Sequence, residues 1–336
     1  MIDDLGLIEV IDLRSEGKMG DLALLKIFKC GCSPSISFNH SQNALNRHRS
    51  TFYVGEGKLR ALLEVIKPKQ TTLLMVTFFV SYFVGLGDLN TKFIYASIST
   101  FLAISGTTAL NMWLDKDIDS LMERTKRRPL PSGILSEKEC AFFGTSTFSI
   151  GILISIFVNL YLPIVLFLGL FFDIVIYTIL LKRRSPYSII LGGVAGSMPA
   201  LAGWVSASET LLPGLILAGI VLLWIPSHIW YISMHYEEDY RIAGIPMYPL
   251  IVGMERASWA IVLAVSLMLI LSTSLYLLLK MNVLYLILST TTLALFLIKT
   301  IKFARKPDRK EARRMYKLAS MALGLVFFSM ILGVFL

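Results

Sequence analysis

Nine apolar runs punctuate the chain, at residues 71–90, 93–114, 140–158, 160–181, 188–206, 211–234, 259–279, 283–301 and 318–336. A helix needs about 20 apolar residues to cross the hydrocarbon core of a bilayer. Each run is near that length, so the pattern predicts an all-α polytopic membrane protein with nine transmembrane helices. The weakest divider is 159–163, where two runs nearly fuse. An odd number of spans puts the two termini on opposite sides of the membrane.

Loop charge orients the spans, because cytoplasmic loops collect Lys and Arg. Segment 115–139 carries six bases, 182–187 three, 235–258 two and 302–317 eight, while the alternate loops carry only Lys92 and Lys280. That asymmetry predicts a cell-membrane protein with its N-terminus and four basic loops in the cytoplasm and its C-terminus outside. Composition agrees: 55% of the residues are hydrophobic and 16% charged, against about 25% charged in soluble domains. A disordered chain is excluded and an ordinary soluble enzyme disfavoured. The net charge of +9 sits in short loops between apolar runs, which indicates a membrane surface and not nucleic acid.

Residues 1–57 differ from the rest, with six acids in the first 21 positions. Transit peptides are poor in acids and signal peptides start basic, so this segment reads as a cytoplasmic extension of unknown role, ahead of a membrane domain at 58–336. Three cysteines are too few for a disulfide framework. Cys30 and Cys32 form a C-x-C pair without further ligands at metal-site spacing, and they and Cys140 read as unpaired thiols.

Charge at membrane depth is costly and usually marks function. Asn111, Asp115 and Asp119 step by four residues at the end of the second run. At about 100° per residue they share one helical stripe, about 6 Å apart in rise. Carboxylates so placed repel one another unless a cation lies between them. Mg²⁺ takes such oxygen ligands and often bridges carboxylates to a substrate phosphate. The structural alternative is a solvated helix end balanced by Lys116. Arg124, Lys126, Arg127 and Arg128 follow directly, and guanidinium forks recognise phosphate oxygens. Acids for a metal followed by bases for phosphate suggest a diphosphate site.

Two further constellations stand out. Tyr177, Lys182, Arg183 and Arg184 close the fourth run, and a small-residue stretch with Gly192, Gly193, Gly196, Pro199 and Gly203 follows. Its default reading is close helix packing. The sixth run ends with Trp224, His228, Trp230 and Tyr231, then His235 and Asp239. If the helix persists past Met234, His228, His235 and Asp239 share a face. Imidazole can ligate a metal, move a proton or cap a polar network. Acids on the inner ends of spans two and six can face each other across one central cavity open to the cytoplasmic side, with a basic floor and apolar, aromatic walls. Such a cavity suits an amphiphile with a charged head and a long hydrocarbon tail, such as an isoprenyl diphosphate.

Asn111-x3-Asp115-x3-Asp119 followed by Arg124-Thr-x-x-Arg128-Pro-Leu-Pro-Ser-Gly resembles the first signature of the intramembrane UbiA-type prenyltransferases. Tyr177-Thr-x-x-Leu-Lys-Arg-Arg-Ser-Pro, Gly192-Gly-x-x-Gly-x-x-Pro-x-Leu-x-Gly-Trp204 and Asp239-Tyr-x-x-Ala-Gly-x-Pro-Met247 are most similar to the haem-farnesylating branch. The likeness runs from about Lys67 to the C-terminus, some four-fifths of the chain. The chain departs from that branch at Trp224-Ile-Pro-Ser-His228-Ile, where Ser227 replaces a proline before the histidine and Ile225 a polar residue.

The resemblance implies farnesyl transfer from farnesyl diphosphate to a vinyl group of haem B, with water addition giving haem O, the precursor of haem A in terminal oxidases. It implies Mg²⁺ on Asp115 and Asp119 with Asn111 in support, and diphosphate on Arg124, Arg128, Lys182 and Arg183. Asp239 would complete a second acidic side. Tyr177 and Trp224 would join the substrate site, and His228 would orient haem through iron or a propionate. Membrane lipid surrounds such an enzyme, and a partner that handles haem or assembles the oxidase belongs to the same picture. A sibling prenyltransferase acting on a quinone precursor or a glycerol-phosphate lipid is the nearest rival. His228 and the Asp239-to-Met247 segment argue against it. A transporter is the rival of another class, and no convincing internal repeat supports it.

Overall fold

The computed structural model describes residues 57–86 and 89–336. The acid-rich extension and the Cys30 and Cys32 pair lie outside the described residues. Among the described residues every regular element is a helix. In chain order they are α1 (57–65), α2 (Pro68–Val84), α3 (Thr91–Leu114), α4 (Lys116–Leu121), α5 (Glu137–Ser155) and α6 (Tyr161–Leu170), which runs on as a π-helix over Phe171–Leu181. Then come α7 (Ser188–Ala207), α8 (Leu212–His235), α9 (Glu237–Ile242), α10 (Tyr248–Val252), α11 (Met254–Leu279), α12 (Val283–Arg305) and α13 (Arg309–Phe335). Seven of these are long and apolar enough to cross a membrane: α3, α6 with its π-helical continuation, α7, α8, α11, α12 and α13. Of the other two long helices, α2 has 17 residues and α5 opens with Glu137, Lys138 and Glu139.

Local chemistry sets the helix ends. The divider at 159–163 works through Asn159, whose Oδ1 accepts from the amides of Tyr161 and Leu162 at 3.0 and 2.9 Å. Its Nδ2 donates to the Val205 carbonyl at 2.7 Å, which ties the start of α6 to α7. Ser136 and Glu139 form a capping box at the start of α5. α13 begins well before its apolar run, because Asp308 caps the amides of Lys310 and Glu311, both at 2.9 Å. Its first turns expose Arg309, Lys310, Arg313 and Arg314 and bury Ala312 and Met315.

α7 is the hub. It packs against α2, α3, α6, the π-helix and α8, while α8 packs on α11 and α13. Close approach needs small residues at the contacts. A Cβ on Gly203 would overlap the Phe78 carbonyl oxygen of α2, and one on Gly106 of α3 would lie 2.5 Å from the Phe148 amide of α5. Gly203→Ala therefore forces α2 and α7 apart and costs about 1–3 kcal/mol, the usual penalty of overpacking. A lower Tm in detergent checks this, with Gly324→Ala as the control, since nothing lies within 4 Å of a Cβ there.

Candidate active site

The polar stripe at the end of α3 survives a break in the helix. Asp115 separates α3 from α4 with φ −93° and ψ 4°. The helical rungs continue across it: the Asp115 amide donates to the Asn111 carbonyl at 3.0 Å and the Asp119 amide to the Asp115 carbonyl at 2.8 Å. The stripe is thus a ladder of consecutive rungs, and Asn111, Asp115 and Asp119 are all buried.

Each carboxylate has drawn a cation to itself. Lys182 Nζ meets Asp115 Oδ2 at 2.5 Å, and Arg128 Nη1 meets Asp119 Oδ2 at 2.6 Å. The loop after α4 delivers Arg128: Thr125 Oγ1 donates to the Asp119 carbonyl at 3.0 Å, and Leu130 is sunk in a cluster with Val65, Met112 and Cys140. The π-helix delivers Lys182. Bonding to the fifth residue back brings residues five apart into line, and Lys182 Nζ stands 5.5 Å from the centre of the Tyr177 ring. On the same turns Thr178 Oγ1 donates to the Asp173 carbonyl at 2.8 Å and accepts from Asn111 Nδ2 at 2.8 Å. π-turns often occur at functional sites.

These groups form the polar end of a cavity of about 520 Å³. Asn111, Asp115, Asp119, Arg124, Arg128, Tyr177 and Lys182 line it together with Trp224 and His228 of α8. Leu74, Ile104, Leu170 and Met198 supply apolar wall. The glycines of α7 act in packing and in the wall at once. A Cβ on Gly192 would strike the Tyr177 ring, 2.6 Å from Cδ2, and one on Gly196 would lie 2.8 Å from Ile225 Cδ1. Both positions line the cavity.

Two of the residues that the resemblance assigned to the site, Arg183 and Asp239, lie elsewhere. Arg183 grips Asp117 with both guanidinium ends, at 2.6 and 2.7 Å, on an exposed face. That hydrogen bonding holds the Asp117 carboxyl below its usual range. Asp239 sits half-buried on α9, outside the cavity wall. The reason is local: α8 ends at His235, and Tyr236 breaks the helix with φ −101° and ψ 37°. The face that carries His228 therefore does not extend to Asp239. The buried acid of α9 is Glu237, paired with Arg241 at 2.6 Å and with Arg309 at 2.5 Å.

The cavity also holds groups the motifs did not single out. Lys67, just ahead of α2, donates from Nζ to Asn111 Oδ1 at 3.1 Å. Desolvation, and then repulsion from Arg128, bring its ammonium down to about 8. Asp173 lines the wall from the π-helix and Tyr316 from α13. An acid inside an apolar run was a visible signal for Asp173; nothing in the sequence marks Tyr316.

The donor set fits a hard divalent cation. Asp115 Oδ1 is buried without a partner among the described residues, and Asn111 and Asp119 add oxygens on the same stripe. Among the described residues no three His, Cys, Asp or Glu side chains close a metal site by themselves. Mg²⁺ does not need that, since it keeps waters and completes its shell with substrate phosphate.

On the α8 side, the His228 ring packs against Trp224 and Tyr316, with ring centres 4.3 and 4.6 Å away. Trp224 Nε1 donates to the Ala319 carbonyl at 2.8 Å, which anchors the indole to α13. His235 lies outside the cavity, its Nδ1 3.1 Å from the Arg309 carbonyl.

Residues 73–331 match the UbiA prenyltransferase family. A protoheme IX farnesyltransferase of Archaeoglobus fulgidus is 65% identical over 279 residues, 83% of this chain and 99% of that protein. Among solved structures, a digeranylgeranylglyceryl phosphate synthase superposes with a TM-score of 0.71 at 23% identity, over 82% of this chain and 98% of that one. A UbiA homologue from Archaeoglobus fulgidus bound to DMAPP and Mg²⁺ gives a TM-score of 0.58 at 13% identity, over 80% and 98% of the two chains. At such identities the structures share the fold alone. The match of the family over most of the chain, the near-full-length relative and the common helical fold agree, and the chain belongs to the UbiA prenyltransferase family.

Proposed function

We propose that this chain transfers a farnesyl group from farnesyl diphosphate to a vinyl group of haem B, with addition of water, and so makes haem O for haem A and terminal oxidases. The observation that carries the reading is that one cavity joins the Asn111–Asp115–Asp119 stripe to the rings around His228. The Archaeoglobus fulgidus relative named for this reaction supports the choice of acceptor. In this reading nine helices span the cell membrane, the four basic loops face the cytoplasm, and the cavity opens on that side. A partner that delivers haem belongs to the same proposal.

Arg128, Lys182 and Arg124 take the diphosphate, and Lys67 stands beside them. Arg128 and Lys182 pair with Asp119 and Asp115. Arg128 and Lys182 would turn to a bound diphosphate, and Asp115 and Asp119 would then face a cation in their place, so that no buried charge is left alone. Asp115 and Asp119, with Asn111, would hold Mg²⁺, as the solved homologue with DMAPP does in its own site. When bound, the ion supplies Lewis-acid withdrawal of charge from the leaving group. The allylic C–O bond breaks, and its electron pair departs with the diphosphate. The vinyl carbon of haem attacks the allylic carbon, and water adds to the cation left on the porphyrin side and loses a proton. Tyr177 presents an aromatic face to developing positive charge. Arg183 and Asp239 lie outside the wall, and we assign them no contact with substrate.

Mass spectrometry of pigments from a host expressing the chain tests the reaction. Haem B gains a farnesyl group and a hydroxyl if the reading holds; unmodified haem beside a prenylated quinone would refute it. Asp115→Asn and Asp119→Asn remove turnover while the protein stays folded, and near-wild-type turnover of either variant with Mg²⁺ present would displace the metal assignment. Arg128→Ala raises KM for farnesyl diphosphate roughly ten- to a hundredfold, the worth of a buried charge-assisted contact at about 1.5–3 kcal/mol. An equal rise for haem would point to general damage. His228→Ala weakens haem binding, read from the Soret band, and leaves farnesyl diphosphate binding nearly unchanged; loss of both together would reduce His228 to a structural role.

A further inference from the structure

The proposed function leaves open how His228 would meet the porphyrin. A neutral imidazole offers one donor and one acceptor, and the tautomer decides which nitrogen faces the ligand. The hydrogen bonds around His228 favour one of the two. Its Nδ1 lies 3.2 Å from Ser320 Oγ on α13. The Ser320 hydroxyl donates its single proton to the Tyr316 carbonyl, one turn back, at 3.2 Å. With that proton committed, Ser320 Oγ can only accept, so the proton of the imidazole sits on Nδ1. Nε2, at the far side of the ring, then carries a lone pair and has no partner among the described residues. His228 lines the cavity, and its ring packs against Trp224 and Tyr316.

We infer that Ser320 is a positioning residue: it fixes His228 as the Nδ1–H tautomer and so directs a bare Nε2 at the iron of the haem substrate, not at a propionate. A propionate would need a proton on Nε2, which this chain of bonds withholds. Iron needs the lone pair. Metal-ligating histidines generally donate their other ring N–H in this way, and loss of the acceptor typically costs 10- to 100-fold in affinity. The inference rests on haem being the acceptor substrate.

The test uses the full chain purified in detergent and protohaem IX as the probe. Soret titration gives the affinity, and resonance Raman of the ferrous complex reports an iron–histidine stretch. Wild type shows the stretch. Ser320→Ala shifts it and weakens haem binding about 10- to 100-fold, with farnesyl diphosphate binding unchanged, and Ser320→Thr, which keeps a hydroxyl, restores both. His228→Ala loses the stretch and regains an axial nitrogen ligand on addition of imidazole. A Ser320→Ala protein that binds haem with wild-type affinity and stretch overturns the inference. So does a wild type that binds haem without any iron–histidine signature, and in that case haem remains the substrate. Wild type that binds no haem overturns the inference together with the acceptor assigned above. Should Ser320→Ala fail to fold, the wild-type signature and the imidazole rescue of His228→Ala still decide the iron contact, and Ser320→Thr still decides the hydroxyl.

Discussion

Two carboxylates buried at the edge of an apolar bundle set the terms for everything around them. Removing a carboxylate from water costs several kcal/mol unless a cation and further hydrogen bonds replace the lost hydration, by general estimates. Asp115 and Asp119 meet that demand with Lys182 and Arg128. The local irregularities of the chain serve this pairing. The π-helix brings Lys182 to the stripe, Thr125 and Leu130 hold the loop that carries Arg128, and Lys67 closes over Asn111. A buried ion pair adds little stability by comparison with packed hydrocarbon, so its presence is best understood through ligand exchange. Under the proposed function, a diphosphate and a divalent cation together would satisfy all four groups.

The same cavity runs from charge to hydrocarbon, which matches the two ends of an isoprenyl diphosphate. α7 makes this geometry possible because glycines stand at several of its contacts. Gly203 lets α2 approach, while Gly192 and Gly196 make room for Tyr177 and Ile225. The aromatic end is built separately, from α8 and α13, and is tied by Trp224 to the Ala319 carbonyl and by His228 to Ser320. The groups proposed for diphosphate and for porphyrin therefore rest on different helices. Changes on one side can be made with limited effect on the other.

The sequence by itself determined the helical membrane architecture, because apolar runs of spanning length leave the backbone no other way to satisfy its polar groups. It also determined the stripe of Asn111, Asp115 and Asp119, since residues four apart share a helical face and the rungs through Asp115 remain intact. Partners distant in sequence were not legible there. Arg183 and Lys182 are neighbours in a basic run, yet one turns outward to Asp117 and the other inward to Asp115. His228, His235 and Asp239 have helical spacing, but the break at Tyr236 takes Asp239 off that face, and His235, at the end of α8, meets the Arg309 carbonyl outside the cavity. Lys67 and Ser320 have no motif around them and gain their roles from residues 44 and 92 positions away. Periodicity is a local property that the backbone imposes within a few residues. The identity of the group that meets a buried charge or fixes a tautomer depends on which helices pack together, and only the tertiary structure decides that.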